Sequence, residues 1–417
     1  MNKNDRVGSM KIILINNLYG EYARGGAERV ISVIADELVR QKHKVIVISS
    51  RPFSKLEVRS KKLENDEITS SQTPRNDSGV TRYSLLVTRY FFFPWNLISY
   101  YNLGKLPVAL RLVWHLIDMF NIQSYFKIKT ILQREKPDLV MTHNLMGVGF
   151  LTPLAIKRAG IKHIHTLHDI QLLHPSGLMN AGEERKINNV FARIYQWINK
   201  KLFSKADVVI SPSEWLMKMH KDKGFFKKAK CEVLCNPVIT SSSPFLVRGG
   251  DSDGSIFTFL YVGQIEKHKG IQLLIDTFSQ FNKDKCKLLI AGEGNWEISN
   301  IQYPISNIQF LGKKNHEEVQ ELMCRAKCLV VPSLCYENQP TVIIEAQQNG
   351  LPVIASDIGG IPEILKPEFL FKAGDREELI KKMKWVMDSY DKIKDTAISE
   401  KSISRSSENY IDKILKL

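Results

Sequence analysis

Short apolar runs alternate along this chain with longer stretches whose apolar positions recur every three or four residues. The first run, Lys11–Asn16, reads as a strand. A helix is predicted over 27–41, where Val30, Ile31, Ile34, Ala35 and Leu38 fall on one face. Strands are predicted at 44–49, 136–142, 161–167, 207–211 and 231–235. The grammar repeats in the second half, with strands at 256–262, 287–291, 308–311, 328–331 and 352–356. Helices are predicted there at 271–281, 316–326 and from Pro340 to near Gly350, with closing helices at 376–390 and 398–417. Helices alternating with short strands in both halves predict an α/β protein of two doubly wound, Rossmann-like domains facing across a cleft. The expected boundaries are 1–238 for the first domain, 239–255 for a Ser-, Gly- and Asp-rich linker, and 256–397 for the second. Helix 398–417 is expected to pack back on the first domain.

Composition sharpens this picture. A chain of 417 residues is too long for one core, and 43% hydrophobic with 25% charged residues is a globular composition. The apolar run 12–15 is far too short for a leader or a membrane span, and a cytoplasmic location is expected. All six cysteines lie at or beyond Cys231, and the pairs Cys231/Cys235 and Cys324/Cys328 have no second pair at zinc spacing, so free thiols are expected. Residues 1–220 hold 32 basic and 18 acidic side chains, nearly all of the +15 net charge. That asymmetry points to an anionic partner: a membrane surface, an acidic substrate or nucleic acid. No nucleic-acid module accompanies it. Residues 54–82 read as a long surface loop. Residues 90–120 interleave aromatics with Arg82, Arg89, Lys105 and Arg111; they read either as an interfacial patch against anionic lipid or as a core-facing helix pair. Asp251-Ser252-Asp253 sits among glycines in the linker with no strand before it, and is set aside as a metal motif.

The densest candidate chemistry lies in residues 332–363. Glu337 and Glu345 stand eight positions apart, and Pro340 is suited to the first position of a helix. N–H groups at 339–342 would face an anion such as a phosphate, and Glu345 could accept hydrogen bonds from a vicinal diol such as a ribose. The plain alternative is two surface acids at a helix start. In the first half, a strand runs into Gly25-Gly26 and then a helix, which lets backbone approach a ligand. The glycines do not spell G-x-G-x-x-G, so a dehydrogenase is not indicated. His143 and His168-Asp169 are delivered at strand C-terminal ends, where open sheets bind ligands. His163, His165 and His168 do not share one face, and no metal site is expected.

E-N-Q-P-x4-E-A, with Gly263…Lys269-Gly270 before it and Gly359-Gly360-Ile361-Pro362-Glu363 after it, resembles the retaining glycosyltransferases of family 4, whose fold is GT-B. The likeness is dense from 259 to 375 and looser in the first half, where Gly25-Gly26-Ala27-Glu28, His168-Asp169 and Asn236-Pro237 carry it. The resemblance implies a nucleoside-diphosphate sugar as co-substrate, with no metal and no other cofactor. It implies that Glu345 grips the ribose and Glu337 lies beside the donor sugar. Backbone from Asn338 through Gln339, Pro340 and Thr341 to Val342 would hold sugar hydroxyls and the distal phosphate. Lys269 would neutralise the leaving diphosphate, Gly25 and Gly26 would approach it from across the cleft, and His168 would contact the donor sugar. Gly263 and Gly292 would line the donor side, and the loops after Ala291 and Leu311 would enclose the base. The family places an Arg after the glycine that is here Gly263; this chain has Gln264, with Lys267 or Arg24 as candidate replacements. The implied acceptor is a glycan, lipid-linked or otherwise anionic, at the inner membrane face, in bacterial surface polysaccharide assembly. A sugar-nucleotide epimerase of the same fold, or a non-catalytic nucleotide-sugar-binding protein, is the competing reading.

Overall fold

Two parallel sheets, each wrapped by helices, organise the computed structural model, which describes residues 8–20, 25–50, 87–92, 103, 106–237, 256–294, 306–394 and 406–417. The first sheet has strands β1 (Lys11–Asn16), β2 (Lys44–Ser50), β3 (Thr88–Phe92), β4 (Leu139–Thr142), β5 (Lys162–Thr166), β6 (Val208–Ser211) and β7 (Lys230–Val233). Their order is β3-β2-β1-β4-β5-β6-β7, and every neighbouring pair is parallel. The second sheet has β8 (Phe257–Val262), β9 (Cys286–Ala291), β10 (Ile308–Gly312), β11 (Cys328–Val331), β12 (Val353–Asp357) and β13 (Leu370–Lys372), in the order β10-β9-β8-β11-β12-β13. In both sheets the direction of winding reverses beside the first strand, between β1 and β4 and between β8 and β11. Chain ends leaving those strands flank an open crevice, the place where doubly wound sheets take ligands.

Helices of the first domain are α1 (Gly26–Arg40), α2 (Val108–Met119), α3 (Ile122–Glu135), α4 (Thr152–Ala159), α5 (Val190–Phe203) and α6 (Glu214–Asp222). Those of the second are α7 (Ile271–Phe278), α8 (His316–Arg325), α9 (Thr341–Gln348) and α10 (Arg376–Ile393). The remaining helix, α11 (Ser407–Lys416), leaves the second domain and lies on α1, burying Tyr410, Ile411 and Ile414 among Ile12, Val30 and Ile34. The two isoleucines alone contribute several kcal/mol, at about 1.5–3 kcal/mol each.

Several expectations shift by a residue or more. Pro340 is the cap before α9 rather than its first residue, and α10 runs on to Ile393. Strands β3 and β13 were not foreseen, because β3 follows a long polar stretch and β13 is only three residues long. The predicted loop at 54–82, Asp251-Ser252-Asp253 and most of the aromatic run 93–105 lie outside the described residues. Of the flanking aromatics, Tyr90 and Trp114 are buried in the first core. The cysteines are free thiols. Among the described residues no helix is long and apolar enough to cross a membrane.

Candidate functional site

At the crevice of the second sheet, β8 ends in Gly263 and β11 ends in Pro332-Ser333. Gly292, in the turn after β9, lies against Gly263; a Cβ at 292 would stand 1.8 Å from the Gly263 carbonyl. The short turn Lys267–Lys269 brings the Lys269 ammonium to Glu337, 2.6 Å from Nζ to Oε1. Ser333 donates to the same oxygen at 2.9 Å. Burial works to raise the Glu337 carboxyl, but the charge of Lys269 and the hydrogen bonds from Lys269 and Ser333 outweigh it, so it is held below its usual range. Burial works to lower Lys269, and Glu337 outweighs that too, so the ammonium is held above its usual range. The pair is ionised across ordinary pH.

The helix predicted to carry the second acid does so. Glu345 lies one turn into α9, and burial pushes its carboxyl up against the opposing pull of Arg29 and a Thr341 hydrogen bond. Arg29 reaches from the first turn of α1, across the cleft, to within 3.3 Å of Glu345 Oε1, and its guanidinium also meets His316 Nδ1. Glu345 Oε2 is buried with no hydrogen-bond partner among the described residues. A buried carboxylate oxygen without a donor is costly, and a ligand hydroxyl would satisfy it.

Gly25 and Gly26 stand directly opposite. Gly25 caps α1, its N–H donating to Glu28 Oε2 at 2.8 Å, and a Cβ on Gly26 would lie 3.8 Å from Thr341 Oγ1. The N-termini of α1 and α9 therefore face one another, and their positive ends converge. Thr341 and Val342 head α9, where N–H groups have no intrahelical acceptor. Pro340, just before them, has no N–H and leaves those of Thr341 and Val342 to face a ligand.

Asn338 and Gln339 do something the sequence did not reveal: their side chains join the two domains. Asn338 Nδ2 donates to the His168 carbonyl at 3.2 Å, and its Oδ1 accepts from Ser213 Oγ at 2.5 Å. Gln339 Nε2 donates to the Pro212 carbonyl at 3.0 Å, while its Oε1 accepts from the Asn236 N–H at 2.6 Å. Both residues are buried. Glu363 accepts from the N–H groups of Glu214 and Trp215 at the start of α6, and Trp215 stacks on Tyr336 with ring centroids 5.3 Å apart. Gly359 and Gly360 make this possible: a Cβ on either would stand about 2 Å from the Glu337 or Asn338 carbonyl.

His168 enters the cleft from the end of β5. Its Nε2 lies 2.9 Å from His143 Nδ1, so the two rings share one hydrogen bond. Burial pushes His168 down to about 4, leaving a neutral ring. Asp169, beside it, is pushed up to about 6 by burial. His163 and His165 sit deeper, as core histidines sharing Thr142 Oγ1 at 2.7 and 2.8 Å. Gln264 is exposed, its carbonyl accepting from Tyr261 Oη at 2.6 Å; Lys267 is exposed nearby, and Arg24 lies outside the described residues. Sequence reasoning missed Arg29, Ser213 and His143 as partners, since each is an ordinary residue until the folded chain sets it beside Glu345, Asn338 or His168.

Two family models cover the chain: Glycosyltransferase Family 4 over residues 24–242 and Glycosyl transferases group 1 over residues 249–405. An uncharacterised 42.6 kDa protein in the cps region of Klebsiella pneumoniae is 27% identical over 85% of this chain and 87% of its own length. The glycogen synthase of Mycobacterium tuberculosis is 23% identical over 85% of this chain and 80% of its own. Among solved structures, Anabaena HepE in complex with UDP superposes with a TM-score of 0.66 at 18% identity, covering 98% of this chain and 100% of that one. A sucrose-phosphate synthase from Thermosynechococcus elongatus gives 0.65 at 16% identity, covering 98% of each chain. At such identities the structures attest the shared GT-B fold.

Proposed function

The chain belongs to Glycosyltransferase Family 4, and on that premise we propose that it moves a sugar from a nucleoside-diphosphate sugar to an acceptor hydroxyl with retention at the anomeric carbon. The observation that carries this reading is Glu345, a buried carboxylate with one open oxygen, set one turn into α9, whose N-terminus faces that of α1 and follows the segment bearing Glu337 and its partner Lys269. A ribose diol can donate to Glu345, and the diphosphate next to it meets N–H groups of α9 and the Lys269 ammonium. The UDP bound by Anabaena HepE, on the same fold, supports a nucleotide donor.

In the reaction, the acceptor oxygen bonds to the anomeric carbon on the face the leaving group departs. The bond from that carbon to the diphosphate oxygen breaks, and its electron pair stays on the diphosphate. The acceptor proton passes to a diphosphate oxygen, so no side chain has to act as the base. Charge grows on the leaving group, and fixed positive groups aimed there lower the barrier without reorganising. Lys269, held by Glu337, is such a group, and with the helix N-termini it supplies the stabilisation that a metal would otherwise provide. Neutral His168 offers a hydrogen bond to the donor sugar rather than a charge. The relative in the Klebsiella cps region supports a place in polysaccharide assembly. The cytoplasm as the location and a lipid-linked glycan as the acceptor belong to the proposal and rest on the family likeness alone.

Replacing Glu345 with Gln is expected to weaken nucleoside-diphosphate binding by roughly 10- to 100-fold, the range for losing a hydrogen bond to a charged group. Calorimetric titration with UDP and with ADP checks it, and unchanged affinity for whichever binds would remove Glu345 from the ribose site. Release of diphosphate only when acceptor is added separates a transferase from an epimerase.

A further inference from the structure

Helix α5 is apolar on both faces: the inner one buries Ala192 and Phe203 together with two amides, and the outer one is exposed. Its inward face carries Gln196 and Asn199, which are buried and donate to the Leu173, Ile187 and Leu172 carbonyls at 2.8–3.0 Å. Its outward face carries Val190, Phe191, Ile194 and Trp197, with Phe191 80% and Trp197 55% exposed. In a helix facing only water the hydrophobic effect would favour the reverse. Helix α2 repeats the theme. Leu110, Leu112, Val113, Leu116, Ile117 and Phe120 are all exposed, while Asp118 is buried and accepts from the Gly147 N–H at 2.9 Å. Scattered exposed leucines need no explanation, but two whole helix faces of them do.

Both helices are tied, through their buried residues, to loops that reach the cleft. Asp118 ties α2 to the loop after β4 that carries His143, and the carbonyls bonded by α5 belong to the loop after β5 that carries His168. That second loop continues, through exposed Leu178, to the second domain, where Tyr336 N–H donates to the Met179 carbonyl and Ala181 N–H to the Leu334 carbonyl. The flanking charge is mostly positive, the neighbouring Glu183 being ion-paired with Lys186. Residues 185–205 contain six bases and no acid, with Arg185, Arg193, Lys201 and Lys205 exposed, and Lys201 Nζ lies 3.9 Å above the Trp197 ring. On α2 and α3 the bases are Arg111, Lys127, Lys129 and Arg134, against a buried Asp118 and the ion-paired Glu135.

We infer that the outward faces of α2 and α5 form a docking surface for an anionic lipid bilayer, seating the His168 side of the cleft at the membrane. The inference rests on the transferase reading only in giving the surface a purpose: it would bring a lipid-borne acceptor to the donor. Apolar and aromatic side chains rimmed by Lys and Arg suit an interface of acyl chains and anionic headgroups. The same charge on two facing copies of this chain would repel, which argues against self-association as the occupant.

Flotation of the full chain with vesicles of phosphatidylcholine containing roughly a third phosphatidylglycerol tests this. The protein floats with these vesicles without donor, less with pure phosphatidylcholine, and less in about 0.5 M salt. Phe191→Ser with Trp197→Ser lowers partitioning at least about tenfold, and Lys201→Glu with Lys205→Glu removes the preference for anionic lipid. These positions are exposed, so the variants keep their fold and the donor affinity measured without vesicles. An unmodified chain that stays with the soluble fraction overturns the inference, as does a Phe191/Trp197 variant that floats like the parent. So does a dimer that Phe191→Ser disperses in gel filtration while vesicles bind nothing. Donor titration separates the two readings: vesicle binding without donor binding overturns the transferase alone, and donor binding without vesicle binding overturns the membrane surface alone.

Discussion

Replacement of Lys269 by Ala is expected to lower kcat by about two to three orders of magnitude, the loss seen when one preorganised partner of a developing charge is removed. Donor affinity should fall far less, because the diphosphate carries less charge at the bridging oxygen before the bond breaks than while it breaks. The geometry behind this asymmetry is the 2.6 Å contact to Glu337, which holds the ammonium in place before any donor arrives. Removing Lys269 also leaves the buried Glu337 with only the Ser333 hydroxyl and the weak Cys335 thiol as side-chain donors among the described residues, so folding must be followed by thermal melting beside the kinetics. Lys269→Arg keeps the charge and should recover part of the rate. Equal losses in kcat and in donor affinity would show that Lys269 binds the ground state and does not favour the transition state.

Acidification is expected to unfold the first domain well before ordinary carboxylates are protonated. His163, His168 and His220 are buried, and burial pushes each down to about 4. His143 and His165 are lowered in the same direction by burial and by neighbouring histidines. The unfolded chain takes up these protons near pH 6.5, whereas the folded chain does not until near 4. Unfolding is therefore favoured increasingly as pH falls through that window, and these groups leave stability unaffected above it. Asp169 works the other way, since burial raises it to about 6 and the folded state holds its proton first. Counting only the three histidines near 4 against one aspartate, at least about two protons separate the states, or about 3 kcal/mol or more per pH unit in mid-window. Total stability of ~5–15 kcal/mol leaves little margin for a drop of that slope. Urea midpoints at pH 7.5, 6.5 and 5.5 give the measurement, and a flat series would mean that the histidines are not held neutral.

Much of this molecule could be read before it was seen, and the rest was hidden for physical reasons. Strands β1, β8 and β11 are short apolar runs buried on both faces, so composition alone marks them. Glu345 could be located because a Pro and a fixed helical spacing put it one turn from a helix start. Its partner Arg29 could not be found that way: the two lie in different domains, and no local pattern joins them. Asn338 and Gln339 were assigned to the donor through their backbone, on the family resemblance, and that reading says nothing of their side chains, which bond the other domain. Helix α5 shows a further limit. Periodicity reveals that an apolar stripe exists, but the direction it faces is decided by what it packs on.

Helix α11 bears on how the chain is born. The first domain is translated first, and domains generally fold in the order they are synthesised. Its core, however, lacks Tyr410, Ile411 and Ile414 until the ribosome has passed through the whole of the second domain. The nascent first domain must wait, incomplete beside α1, while the later one closes. A chaperone that protects the exposed side of α1 during that interval would raise the yield of native protein, and a stalled chain ending before residue 406 would be open to proteases there.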